Sequence, residues 1–213
     1  LEGKFVTLEG LDGSGKTTVL RKLIETLNEQ QRHRIVVTRE PGGNQIAEKI
    51  RQLLLDSNSL KMDSRTEALL YAAARRQHLV ENVLPALAAG KIIFCDRYVD
   101  SSIAYQGAGR QLGETAIAEL NQFATAGLQA DLTLYFDLPP QVGLQRINHF
   151  RQDQINRLDQ EKIDFYQRVR ASYLRLVAEE PKRVIKINAA TALVNVVEQT
   201  RQILKEHLPE LLG

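Results

Sequence analysis

Apolar residues in this chain fall into two kinds of run. Five short blocks, "KFVTLE" (4 to 9), "RIVVT" (34 to 38), "KIIFCD" (91 to 96), "LTLYFDL" (132 to 138) and "RVIKIN" (183 to 188), are rich in Val, Ile and Phe and show little strict alternation. Blocks of that length and composition predict strands covered on both faces, as in a parallel sheet. Between them the spacing changes to that of a helix. Leu20, Leu23, Ile24 and Leu27 follow an i, i+3, i+4, i+7 rule, and Tyr166, Val169, Tyr173 and Val177 form a second stripe. Further helices are expected over 45–55, 64–89, 114–126 and 191–207. Strands separated by crossover-sized helical segments predict right-handed βαβ units, hence an α/β fold: a five-stranded parallel sheet flanked by helices on both faces.

Composition narrows the picture. The chain has 213 residues and no Pro-, Gly- or Ser-rich linker, so a single domain over 1–213 is expected. Basic residues outnumber acidic ones by only 28 to 26, too even a balance to predict binding to nucleic acid or an anionic membrane. The single cysteine, Cys95, lies in an apolar run and reads as a buried, inert thiol suited to a reducing compartment. No apolar leader precedes Glu9 and Asp12, and no run approaches the ~20 apolar residues of a membrane span. A cytoplasmic protein is the expectation. The glutamine-rich stretch 141–167 reads as solvated surface.

Ligands of doubly wound sheets gather at the carboxyl ends of the strands. Here those ends are "GLDGSGK", "TREPGG" and "DRYVDSS", whereas "EQQRHR" and "LAAG" at the opposite ends read as plain connections. The first matches GxxxxGK[ST] through Gly10, Gly15, Lys16 and Thr17, between a strand and an amphipathic helix, as a phosphate-binding P-loop requires. Backbone N–H groups of Gly10, Leu11, Asp12, Gly13, Ser14, Gly15, Lys16, Thr17 and Thr18 would surround the phosphate oxygens of a bound nucleotide at a helix N-terminus, in a cradle of a kind that serves kinases, motor ATPases and GTP switches alike. Lys16 would reach the β and γ phosphates and the Thr17 hydroxyl would ligate Mg²⁺.

Asp96 ends the third strand where P-loop proteins hold their metal through a carboxylate, and Arg97 follows it. Taken alone, the Asp-Arg pair reads equally well as a strand-end pair facing solvent. Arg39, ending the second strand, adds another guanidinium at the same sheet edge. The planar fork of arginine suits phosphate oxygens, so two of them beside a γ-phosphate site point to a second phosphorylated ligand and thus to a kinase.

"GLDGSGKTT", "TREPGG", "LLYAAARRQHL", "DRYVDSSIAYQGAGR", "DLTLYFDLPPQVGLQR" and "DFYQRVRASYL" together resemble the bacterial thymidylate kinase family over nearly the whole chain. That resemblance implies a P-loop nucleoside monophosphate kinase fold, the reaction ATP + dTMP ⇌ ADP + dTDP with Mg²⁺ on the way to dTTP, and a homodimer packed through helices. It implies that Asp12 holds the 3′-hydroxyl of the acceptor's sugar and that Arg39 and Arg97 clamp the acceptor phosphate. Glu9 and Asp96 would help place the metal. Tyr71 would stack on thymine, Arg75 would hydrogen-bond the base edge, and Arg51 would approach the base. Tyr105 would crowd the 2′ position, with Ser102 and Gln106 lining the same pocket. From spacing alone, Tyr71 reads as core and Arg75 as a solvated helix residue.

Family members with glycine at the Gly13 position draw a catalytic arginine from a lid after the fourth strand. Here that lid, about 146–160, is "RINHFRQDQINRLDQ", and "NRLD" replaces the family's usual "DRIE". Arg151 is the first choice for the contact to the transferring phosphoryl group, Arg157 the second, with Arg146 also present. His33, His78, His149 and His207 lack metal-ligand spacing and read as surface or helix residues. Two alternatives stay open: a kinase for another nucleoside or nucleoside monophosphate, and a nucleotide-binding regulatory protein without transfer activity.

Overall fold

The structure is a computed structural model; it describes residues 3–59, 61–150 and 161–212. Among these, five strands form one parallel sheet: β1 (Lys4–Glu9), β2 (Ile35–Arg39), β3 (Ile92–Asp96), β4 (Leu132–Asp137) and β5 (Val184–Asn188), in the order β2-β3-β1-β4-β5. Each lies within a residue of its expected bounds. The helices are α1 (Lys16–Glu25), α2 (Glu29–His33), α3 (Gln45–Leu55), α4 (Ser64–His78), α5 (Leu84–Ala88), α6 (Val99–Ser102), α7 (Glu114–Thr125), α8 (Pro140–Phe150), α9 (Ile163–Glu179), α10 (Leu193–His207) and α11 (Pro209–Leu212).

The expected helix 64–89 is interrupted. A π-helical turn at Leu79–Val83 joins α4 to α5, and Pro85, which has no N–H to return along the helix, follows that wider turn. A second π-helical segment, Ile103–Gly109, extends α6, so the stretch after "DRY" is helical. "EQQRHR" also departs from a plain connection. Asn28 caps α2 by accepting from Gln31 N while Gln31 Oε1 accepts from Asn28 N, a reciprocal cap that stabilises even one short turn.

Strand alternation sorts the core into two layers. Val6, Leu8, Ile92, Phe94, Leu134 and Phe136 pack with Leu20 and Leu23 of α1 and Val196, Ile203 and Leu204 of α10. On the opposite face Tyr135 packs with Tyr166, Val169 and Tyr173 of α9 and with Tyr105, while Phe5, Ile93 and Cys95 pack with Leu79, Val83 and Tyr98. Helices therefore cover both faces, which is why the strands read as continuous apolar runs. Parallel pairing sets Leu8 against Asp96 and Arg39 against Asp96, so the three chemistry-bearing strand ends emerge at one edge.

Candidate active site

The P-loop fills the turn from β1 into α1. Gly10 has φ +136, and a Cβ there would lie 2.6 Å from Phe136 O; Gly13 has φ +78, and a Cβ would lie 2.8 Å from Gly143 O of α8. Both positions therefore exclude a side chain sterically. Leu11 splits its roles, its side chain packing in the core while its carbonyl faces the loop. Lys16 donates to Gly10 O at 3.1 Å and Leu11 O at 3.3 Å, and burial, followed by the charge of Arg97, lowers its pKa from the ordinary lysine value. Ser14 Oγ is buried without a hydrogen-bond partner among the described residues. A loop holding a buried ammonium and an unused hydroxyl is arranged for an anion.

Thr17 Oγ1 donates to Asp96 Oδ2 at 3.2 Å, whereas Asp96 Oδ1 is buried with no hydrogen-bond partner among the described residues, 3.9 Å from Lys16 Nζ. A hydroxyl beside a carboxylate with one uncommitted oxygen is a donor set that fits a hard divalent cation. Glu9 does not join it, which corrects the expectation for that residue. With Phe5 and Thr7 it points to the sheet face opposite α1, where it is fully buried. Its Oε1 accepts from Tyr98 N at 2.7 Å; its Oε2 accepts from Ser101 Oγ at 2.5 Å and Tyr173 Oη at 2.7 Å. Burial, and then the nearby Asp100, pushes its pKa up to about 7 against the opposing pull of Arg97.

Arg97 does not pair with its neighbour Asp96. It sits at φ +73 and donates to Asp12 Oδ1 at 2.9 Å, Ser101 Oγ at 3.1 Å and Tyr105 Oη at 3.2 Å. Three of an arginine's five N–H groups are thus engaged by side chains among the described residues. An open cleft of about 810 Å³ lies in front of it. Asp12, Arg39, Arg51, Tyr71, Arg75, Arg97, Ser102, Tyr105 and Gln106, expected from sequence to share a pocket, all line this cleft, with Asp96 at its edge. Arg39 is held by Glu48 Oε1 at 2.8 Å, and Arg51 donates to Pro41 O at 3.0 Å.

Arg75 is not a solvated helix residue. It is 2% exposed and is held by Glu40 Oε2 at 2.6 Å, Ser102 Oγ at 3.0 Å, Tyr98 O at 2.9 Å and Asn121. His78, although helical, is likewise fully buried. Its Nδ1 bonds Glu40 at 2.9 Å and its Nε2 bonds Thr38 Oγ1 at 2.7 Å. Glu40, His78 and Cys95 bring ligand-type atoms within 4.8 Å of one another, but the carboxylate and imidazole are committed to these bonds. Burial keeps the Cys95 thiol protonated, and it donates to Arg97 O at 3.1 Å.

Sequence reasoning missed Glu40, Ser101, Glu67 and Asn121. Glu67, fully buried, holds Gln106 at 2.9 Å and Arg110 at 3.1 Å. Glu40 carried a signal, a charged residue inside "TREPGG", while Asn121 carried none. Arg146 of α8 donates to Gly13 O at 3.1 Å, so the first arginine of the expected lid supports the P-loop from behind. Arg151 and Arg157 lie outside the described residues. No helix among the described residues is long and apolar enough to cross a membrane.

Comparison with known proteins agrees with the fold. The family profile described as thymidylate kinase matches residues 8–200. The chain is 56% identical over 209 residues to the thymidylate kinase of Lactiplantibacillus plantarum, spanning 98% of this chain and 95% of that one. It is 55% identical over 210 residues to the thymidylate kinase of Enterococcus faecalis, spanning 99% of each. A crystal structure of thymidylate kinase from Ehrlichia chaffeensis superposes with a TM-score of 0.77 at 32% identity, over 96% of this chain and 99% of that one. The profile match over most of the chain, the near full-length identity and the shared fold together show that the chain belongs to the thymidylate kinase family.

Proposed function

We propose that the protein transfers the γ-phosphoryl group of ATP to dTMP, releasing ADP and dTDP, in the cleft at the ends of β1, β2 and β3. The observation that carries this reading is the facing of Arg97 and Arg39, from two strand ends, onto the same cleft as the P-loop residue Asp12. The P-loop takes the donor triphosphate, and the two guanidinium groups take the acceptor phosphate. A phosphate oxygen of dTMP attacks the γ-phosphorus as the bond to the β-phosphate oxygen breaks. A phosphate monoester has its second pKa near 6, so at neutral pH the attacking group is already mostly dianionic and needs no general base. Alignment and charge neutralisation remain for the protein to supply.

Lys16 neutralises charge at the β and γ phosphates. Thr17 and Asp96 would hold Mg²⁺, which when bound would offset phosphate charge. Asp12 accepts from the sugar 3′-hydroxyl, Tyr71 stacks on the base, and Tyr105 crowds the 2′ position. Arg151, with Arg157 second, contacts the transferring group. The reading includes a single domain in the cytoplasm, acting on a small-molecule acceptor without nucleic acid or membrane.

A homodimer belongs to the same reading. Ile46 and Leu53 of α3, Leu69 of α4 and Phe123 of α7 are exposed apolar side chains, Phe123 at 88%, on helices that contact one another in the order α3, α4, α7. Sedimentation at micromolar concentration should give twice the chain mass, and a monomer there would count against this part. The transfer itself is tested by a coupled assay of ADP release with dTMP. Lys16→Ala should lose about 10²- to 10³-fold in kcat with its far-ultraviolet circular dichroism unchanged; near-normal turnover would contradict the mechanism.

A further inference from the structure

Asn121 and His78 do not line the cleft, yet both bear on the one arginine buried in its wall. Arg75 commits Nε to Glu40 Oε2, both Nη1 hydrogens to Ser102 Oγ and Asn121 Oδ1, and one Nη2 hydrogen to Tyr98 O. Four of its five N–H groups are engaged, and the guanidinium is planar, so the direction of the remaining Nη2–H is fixed. Each holder is itself held. Asn121 is 1% exposed, and its Nδ2 donates to Ile117 O at 2.8 Å, which turns Oδ1 toward Arg75. His78 binds the second oxygen of Glu40 and is anchored in turn on Thr38. The chain Thr38–His78–Glu40–Arg75–Asn121 runs from the end of β2 through α4 to α7.

We propose that Asn121 and His78 are positioning residues for base selection, holding Arg75 so that a single N–H donor faces the 4-position of the pyrimidine. The inference rests on the reading of the cleft as the dTMP site. One fixed donor donates to a 4-oxygen and opposes a 4-amino group, which sets donor against donor and leaves a buried N–H unpaired. Releasing the guanidinium lets it turn its edge, and the penalty against the amino group shrinks.

The test compares kcat and KM for dTMP, dUMP and dCMP in the parent enzyme, Asn121→Leu and Asn121→Asp. In Asn121→Leu, KM for dTMP should rise about tenfold and the preference for dTMP over dCMP should fall about tenfold, the loss expected for one charged hydrogen bond. The dTMP-to-dUMP ratio should stay unchanged, because both bases carry a 4-oxygen, and kcat and KM for ATP should stay within about twofold. Asn121→Asp keeps the acceptor and should restore the preference. Should Asn121→Leu fail to fold, His78→Gln, which retains a polar group near Thr38 and drops the bond to Glu40, should lower the same ratio about threefold. An unchanged dTMP-to-dCMP ratio in the folded variants overturns the proposal, as does an equal loss in the parameters for ATP. Failure of the parent enzyme to phosphorylate dTMP overturns the site reading, and this proposal with it.

Discussion

Arg97 donates to Asp12 Oδ1 at 2.9 Å, bridging the turn after β3 and the P-loop after β1. The bond joins the residue proposed for the acceptor phosphate to the residue proposed for the acceptor sugar, so under that proposal the phosphate and sugar of dTMP would meet one preorganised pair. Because Arg97 also reaches Ser101 and Tyr105, its fork is fixed before ligand arrives. Arg97→Lys keeps the charge and loses the fork. It should reduce kcat/KM for dTMP about 10²-fold while KM for ATP moves less than about threefold. Steady-state kinetics at saturating ATP measures this, and equal effects on both substrates would show that Arg97 serves the whole site instead.

Gly13 and Gly143 are packed backbone to backbone, and a Cβ on Gly143 would in turn lie 3.0 Å from Asp12 O. An arginine at position 13 would meet both a positive φ and the Gly143 carbonyl. Gly13→Arg should therefore lower unfolding free energy by about 1–3 kcal/mol in urea titration. In the proposed mechanism the arginine comes from the lid instead. In saturating substrates Arg151→Ala should lose about 10³-fold in kcat and Arg157→Ala less; the reverse order would exchange their roles.

Glu9 gives stability a pH dependence of known sign. Its pKa is raised from 4.5 to about 7 on folding, chiefly by burial, so the native state holds a proton that the unfolded chain releases between those values. The stabilisation is complete below about 4.5 and is lost as pH rises through about 7. Glu9→Gln cannot ionise. Relative to the parent it should gain on the order of 1–3 kcal/mol between pH 5 and 8, read as the difference of two urea-unfolding curves. Parallel curves would mean that Glu9 stays ionised in the folded protein.

Much of the molecule was legible in the chain because its signals are local. The P-loop and the five strand runs depend on neighbouring residues, and the apolar runs announce burial on both faces. Arg75 was not legible from spacing, since its burial depends on Glu40, Tyr98, Ser102 and Asn121 arriving from three separate segments. Glu9 was misassigned for a reason the sequence does hold. Alternation along β1 sets it with Phe5 and Thr7, away from Thr17, whereas Asp96 shares the face of Ile92 and Phe94 toward α1. His78 lacked any signal, because its partners Thr38 and Glu40 stand about forty residues away.

Choice of acceptor is the central claim, and one assay reaches it directly. ADP release from ATP is measured with purified protein and Mg²⁺ against dTMP, dUMP, dCMP, dGMP and thymidine in parallel. The account predicts the highest kcat/KM for dTMP and no turnover of thymidine, which lacks the phosphate that Arg39 and Arg97 are placed to hold. Faster turnover of any other acceptor, or ADP release that is indifferent to all five, would contradict it.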